Sequence, residues 1–264
     1  SIWTFGDTQT LRAGLDGISW RTSTWTYTAD LDASDGVDNF MEPTDASGVP
    51  GEFLPFTEEE LAFNALNRGP DCTDCEARII LWPAQMLVDA TGEHIYIFYE
   101  KLIGRPGFLN LEGIGWSFAL WDGPDSTPVR PEFRPDADEP TLLFDDSEMP
   151  YFGTAALQVG EDVYAYSCGT LGCRLARVPF DNLLDPNAWE VYAGNDEWSA
   201  DASDAAIVMQ GSTIMSVHWN DYLGKYVAFY SEFFSDGVVM QTADRLEGPW
   251  SGPIYLFDTL PPAD

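Results

Sequence analysis

Ile2-Trp3-Thr4-Phe5-Gly6-Asp7 and Ile95-Tyr96-Ile97-Phe98-Tyr99-Glu100 share one pattern, an alternating apolar and aromatic run that closes on a carboxylate. Val163-Tyr164-Ala165-Tyr166-Ser167-Cys168 and Tyr226-Val227-Ala228-Phe229-Tyr230-Ser231 repeat the run without the acid. Alternate residues of a strand share a face, so Trp3, Phe5 and Asp7 point one way, as do Tyr96, Phe98 and Glu100. A carboxylate at the end of an apolar face is partly desolvated, one way in which a general acid acquires a raised pKa. Recurrence of the run along the chain predicts a β-propeller with acids at one rim.

The flanking sequence fits that reading. Gln85–Val88, Thr154–Val159 and Thr213–Trp219 each lead through a turn into a repeat strand, as hairpins do. A third run follows each (114–121, 173–178, 238–242), and a fourth follows that (141–144, 190–192, 253–256). Four antiparallel strands per unit is blade logic, and the predicted fold is an all-β propeller over residues 1–264 as one domain. Four units are visible, and the first has no strand ahead of Ile2. One helix is predicted from Thr57 to about Asn67. Thr57 caps it, Glu58-Glu59-Glu60 suits its N-terminus, and Leu61, Phe63, Ala65 and Leu66 supply an apolar side.

Composition narrows the function. Apolar residues at 45% and aromatics at 14% are too many for a disordered chain. Forty-four acids against 12 bases give a net charge of −32, which repels phosphate backbones and anionic membranes. Nucleic acid and membrane insertion are therefore not expected, and a monomer is. No apolar run approaches a membrane span, and no signal peptide precedes Ser1, so the chain reads as cytosolic or as a mature form. Cys72/Cys75 and Cys168/Cys173 are two close pairs, open to disulfides, free thiols or a zinc site. Disulfides would imply export. Asp30, Asp32, Asp35 and Asp38 around Gly36 loosely resemble a calcium loop but miss its spacing by one residue. No cofactor is expected, with calcium at this loop the leading exception. Two histidines, His94 and His218, are too few for a histidine-rich metal centre.

Several segments resemble a bacterial family, the domain of unknown function 4185. They are Ile2–Thr8 with its Phe-Gly-Asp-Thr, Pro55–Asn67, Val217–Tyr230 and Thr242–Ser251 with its Gly-Pro-Trp. Some members of that family are placed among glycoside hydrolases as endo-D-arabinanases, family 183. The resemblance implies a secreted or cell-surface bacterial protein with a five-bladed propeller acting on a furanosidic polysaccharide, such as mycobacterial arabinan. It matches Asp7 to the family's aspartate.

Glycoside hydrolysis needs two carboxyl groups, about 5–5.5 Å apart for retention or about 6.5–9.5 Å for inversion. Asp7 is the first candidate, against a bland reading as a turn aspartate bonded to backbone amides. Glu100 holds the equivalent position one blade on; its bland reading is a solvated strand-end acid facing Lys101 or Arg105. Acids from different blades leave room for a water, which favours inversion. Strand direction places Trp82, Gln85, Tyr151, Phe152 and Asp204 at the same rim, and Trp20 and Arg21, in the segment after Asp7, are expected nearby; aromatic faces there could stack on sugar rings. A non-catalytic sugar-binding propeller would present the same aromatics without a working acid pair.

Overall fold

The structure is a computed structural model that describes residues 1–32, 34, 36–233 and 235–259. The chain divides into two compact units, Ser1–Leu142 and Leu143–Asp264.

The first unit opens with four short strands: β1 (Ile2–Phe5), β2 (Thr8–Gln9), β3 (Trp20–Arg21) and β4 (Thr24–Tyr27). β1 pairs antiparallel with β4, and β2 with β3. One register serves both pairs, because Phe5 lies opposite Thr24 and Thr8 opposite Arg21. The ladder is interrupted between them, where Gly6-Asp7 faces Thr22-Ser23. Next come α1 (Glu58–Arg68) and three long antiparallel strands, β5 (Arg78–Val88), β6 (Ile95–Gly104) and β7 (Leu111–Trp121). The period of two sorts their side chains. Ile79, Leu81, Ile97, Tyr99, Ala119 and Trp121 turn one way, into a core shared with Phe53, Leu54 and Trp25.

β6 does not stop at Glu100, as the repeat suggested, but runs four residues further to Gly104. Lys101 can continue the strand because it turns into a buried ion cluster on the opposite face from Glu100. Similarly, β5 begins at Arg78, well ahead of the expected Gln85.

Helix α1 is capped as expected. The Thr57 hydroxyl accepts from the Glu60 amide, and Glu60 Oε2 accepts from the Thr57 amide. Its docked face agrees with the expected one only at Phe63, which packs against the core. Leu61 and Leu66 are about half exposed, whereas Glu60, Asn64 and Asn67 are buried. The helix docks through polar bonds. Asn64 Oδ1 accepts from the Ile79 amide at 2.7 Å, and Asn67 Oδ1 from the Asp74 amide at 3.1 Å.

Glu60 is the hub of the ion cluster. Arg130 donates to both its oxygens, at 2.6 and 2.9 Å, and Lys101 Nζ lies 2.7 Å from Oε1. Lys101 also pairs with Glu139, and Arg130 also donates to Thr141 and to the Pro55 carbonyl. Burial alone would push the Glu60 carboxyl up, but the Arg130 and Lys101 charges hold it down at about 2.

The second unit contains β8 (Phe144–Asp145), β9 (Ala155–Val159), β10 (Asp162–Gly169), β11 (Gly172–Pro179), β12 (Glu190–Gly194), β13 (Glu197–Ser199) and β14 (Ile207–Met209). It ends with β15 (Met215–Asn220), β16 (Lys225–Ser231), β17 (Gly237–Ala243) and β18 (Ile254–Asp258). One sheet runs β13-β12-β11-β10-β9 with β14 on β11; the other is the meander β15-β16-β17-β18. Tyr166, Leu175, Met215, Val217, Ala228 and Tyr230 form its core. The expected strands are present here with shifts of one or two residues at their ends. The predicted 141–144 strand is the exception, reduced to the two residues of β8.

All four cysteines are in disulfides, Cys72–Cys75 and Cys168–Cys173, which leaves no thiolate for zinc. Cys168 and Cys173 are register partners beside the β10–β11 turn, with Cα atoms 4.0 Å apart. In the acidic loop, Asp30 accepts from the Asp32 and Asp38 amides, both at 3.0 Å; Asp35 lies outside the described residues. Among the described residues, no group of three His, Cys, Asp or Glu side chains could hold a metal ion. No helix among them is long and apolar enough to cross a membrane.

The Glu60 cluster generates the first prediction. Glu60→Gln removes the shared partner of two buried cations and should cost about 3–5 kcal/mol at neutral pH. The folded-state pKa is depressed, so the Glu60 contribution is fully present above pH 4.5 and is lost as pH falls toward 2. Urea unfolding of both proteins at a series of pH values should therefore show the wild-type advantage shrinking across that window. An advantage that stays constant would contradict the assignment.

Candidate active site

Asp7 leaves the sheet at the interruption between β1 and β2. The preceding Gly6 matters sterically, because a Cβ there would meet Trp82 Cδ1 at 3.1 Å. The indole of Trp82 therefore lies against the backbone just before Asp7, and its Nε1–H donates to Asp7 Oδ1 at 3.3 Å. On the other oxygen, Arg78 Nη2 lies 3.6 Å from Oδ2. The Asp7 side chain is 28% exposed. Its partners are thus side chains from β5, not the turn amides of the bland reading.

Period two on β5 explains the grouping. Arg78, Ile80 and Trp82 share one face, and all three line a cleft of about 420 Å³ together with Asp7, Trp20 and Glu76. Arg105 closes the cleft at its edge, held by Asp74 at 2.7 Å and Glu112 at 2.6 Å. The Arg78 guanidinium sits 4.9 Å from the centre of the Trp20 ring. A second cleft of about 350 Å³ shares Trp20, Glu76 and Arg78 and adds Glu52, Asn64 and Arg68. The Trp20 indole N–H is buried and has no acceptor among the described residues. Glu76, next to the Cys72–Cys75 loop, has a left-handed φ of 66°, uncommon for a residue with a side chain.

Of the residues expected at the site, the structure groups Asp7, Trp20 and Trp82. Glu100 is the register partner of Trp82, so its side chain stands beside the indole on the same face of the sheet. It is a mid-strand residue, and Lys101 and Arg105 are engaged elsewhere, with Glu60 and Glu139 and with Asp74 and Glu112. Gln85 lies at a register shift in β5, beside Ala84, whose carbonyl accepts from Thr4 Oγ1. Arg21, expected in the substrate wall, is only 2% exposed. It donates to Asp16 at 2.6 and 3.2 Å and to the Pro50 carbonyl at 2.7 Å, and so it anchors a loop. In the second unit, Phe152 is buried and Tyr151 half-buried. Asp204 accepts from the Ser199 hydroxyl at 2.6 Å. His218 stacks on Phe229, and His94 pairs with Asp122 at 2.8 Å, a bond that raises the His94 pKa.

Arg78, Glu76, Arg68 and Glu52 were not anticipated. Arg78 could have been found from the period-two spacing to Trp82, had the strand been extended upstream. Glu76 and Glu52 lie in loops, where no spacing rule assigns a direction.

The fold is all-β, with antiparallel meanders of the propeller type. The chain belongs to the family described as domain of unknown function 4185, whose model matches residues 129–263, just over half of the 264 residues. Asp7 and its cleft lie outside that match. Among solved structures, a candidate hydrolase from Bacteroides ovatus is similar at a TM-score of 0.58 and 13% identity, over 98% of this chain and 67% of that one. An exo-β-1,3-galactanase from Phanerochaete chrysosporium gives a TM-score of 0.41 at 9% identity, over 96% of this chain and 54% of its own. An endo-1,5-α-L-arabinanase from Thermotoga petrophila gives 0.40 at 12% identity, over 80% and 48%. The chain thus spans about two thirds of the first protein and about half of the other two. No curated protein sequence matches it.

The contact between Gly6 and Trp82 is testable. Gly6→Ala should push the indole off Asp7 at a stability cost of about 1–3 kcal/mol. The Trp82 indole N–H resonance should move in the variant; an unmoved resonance would show that the two groups are not in contact.

Proposed function

We propose that this chain carries the active site of a glycoside hydrolase that cleaves a furanosidic polysaccharide, such as D-arabinan, by two-carboxylate acid–base catalysis. The observation that carries the reading is the setting of Asp7. It is a part-exposed carboxylate on the wall of a cleft, flanked by two tryptophans and an arginine. Aromatic faces stack on sugar rings, and arginine can donate to sugar hydroxyls. The family resemblance supports the furanoside, and the likeness to the Bacteroides protein supports a fold suited to it.

Asp7 acts as one carboxylate. Glu100, adjoining Trp82, is the candidate partner from the repeat, and Glu76, which lines the same cleft, is the alternative. Inversion remains the preferred outcome, with a water between the two acids. The two disulfides are compatible with a secreted protein. One observation favours the alternative of a non-catalytic carbohydrate-binding protein, namely that both Asp7 oxygens already have protein partners.

Incubation with D-arabinan and a panel of furanosides and pyranosides tests the proposal. Asp7→Asn should lower product release by about 10²–10⁴-fold, the usual contribution of a positioned acid or base. Glu100→Gln and Glu76→Gln identify the partner, since only one should produce a comparable loss. Equal release by wild type and Asp7→Asn would end the assignment. Retention of a glycan without cleavage, in an affinity gel, would favour the binding protein.

A further inference from the structure

Glu52 is a half-buried carboxylate to which the proposed reaction gives no role. It bonds the two residues that face Gly6-Asp7 across the broken ladder. Its oxygens accept from the Thr22 amide at 3.1 and 3.0 Å and from the Ser23 amide at 3.0 Å. They also accept from the Thr22 hydroxyl at 3.1 Å and the Ser23 hydroxyl at 3.3 Å. Successive amides of a strand normally point to opposite sides. Here both are turned to one carboxylate, so neither is available to the strand that carries Asp7. The Gly6 carbonyl across the gap accepts instead from Thr8 Oγ1 at 3.0 Å. Ser23 in turn holds the Glu52 segment, through its carbonyl to the Phe53 amide at 2.9 Å and its hydroxyl to the Leu54 amide at 3.0 Å.

We infer that Glu52 is the positioning residue of the Asp7 site: by gathering the Thr22 and Ser23 amides it keeps the ladder open at one point, and that opening lets Asp7 turn out to Trp82. An unbroken ladder would hold Gly6 and Asp7 in the regular pleat. The carboxylate is costly to hold there, since burial pushes its pKa up despite the amides. Two neutral acceptors, or an ordinary strand pair, would satisfy Thr22 and Ser23 without that cost. The inference rests on the proposed role of Asp7 for its effect on activity, but its structural half does not.

The test uses ¹⁵N-labelled protein and the variants Glu52→Ala and Glu52→Gln, with Asp7→Asn as reference. Glu52→Ala should move the Trp82 indole N–H resonance in the direction that Asp7→Asn moves it, and should speed hydrogen exchange at Thr22 and Ser23. Glu52→Gln keeps one acceptor oxygen and should fall between; it also serves if the alanine variant does not fold. On a cleaved glycan, kcat should fall by on the order of 10- to 100-fold with KM little changed, as for a misplaced catalytic group. An unmoved Trp82 resonance in both variants overturns the inference, as does a rise in KM at constant kcat. If the wild type cleaves nothing, the proposed function fails, and the two NMR readouts still decide the role of Glu52.

Discussion

One carboxylate shared by two buried cations holds the first unit together. The chain has 12 basic residues, and two of them, Lys101 and Arg130, are buried around Glu60. Burying such a pair is costly unless the charges are closely paired; the Arg130 Nη atoms all find acceptors, whereas its buried Nε has none and the guanidinium lies 4.9 Å from the centre of the Tyr99 ring. Here Glu60 also closes the capping box of α1, so the same side chain fixes the helix start, strand β6 and the Arg130 segment. The arrangement is an all-or-none device. Removing any partner leaves a charge in a low-dielectric interior, where its desolvation is no longer compensated.

That constraint reaches the site through the helix. Besides the Phe63 contact with the core, α1 docks by Glu60, Asn64 and Asn67, whose contacts are directional, whereas an apolar face alone would tolerate sliding. Asn64 grips the amide of Ile79, next to Arg78, and Asn67 grips the amide of Asp74, which holds Arg105. Arg78 and Arg105 both line the Asp7 cleft. The route from the buried ions to the cleft therefore runs through the two backbone amides held by Asn64 and Asn67 and through the side-chain pair of Asp74 and Arg105.

The sequence was most legible where the period of two is backed by burial. Repeat strands, their hairpin partners and the Thr57 cap could all be read, because alternation and capping are local signals. The helix face was misread in part: Phe63 packs inward as expected, but at Leu61 and Leu66 polar docking overrode the apolar pattern. The end of β6 was misread because the repeat was taken to close on Glu100, and the buried partners that carry Lys101 into the strand are distant in sequence. The grouping of Asp7, Trp20 and Trp82 in one cleft was legible from the repeat, from the segment that follows Asp7 and from the strand direction. Glu76 and Glu52 were not, because their positions depend on loop conformations and, for Glu52, on partners about 30 residues away.

Charge placement bears on which polymer could use the cleft. Arg21, Lys101, Arg105, Arg130, Arg177, Lys225 and Arg245 are all engaged with carboxylates. Few cations are left to offset the remaining acids, and the long-range field of the chain is negative. An anionic polymer would have to approach against that field, with a barrier that salt reduces. A neutral glycan meets no such barrier, and gains little from steering. Its recognition has to come from short-range contacts, which is what two indoles and an arginine beside a carboxylate provide. The acidity of the chain and the aromatic character of the cleft thus both accord with the proposal of an uncharged polysaccharide as ligand.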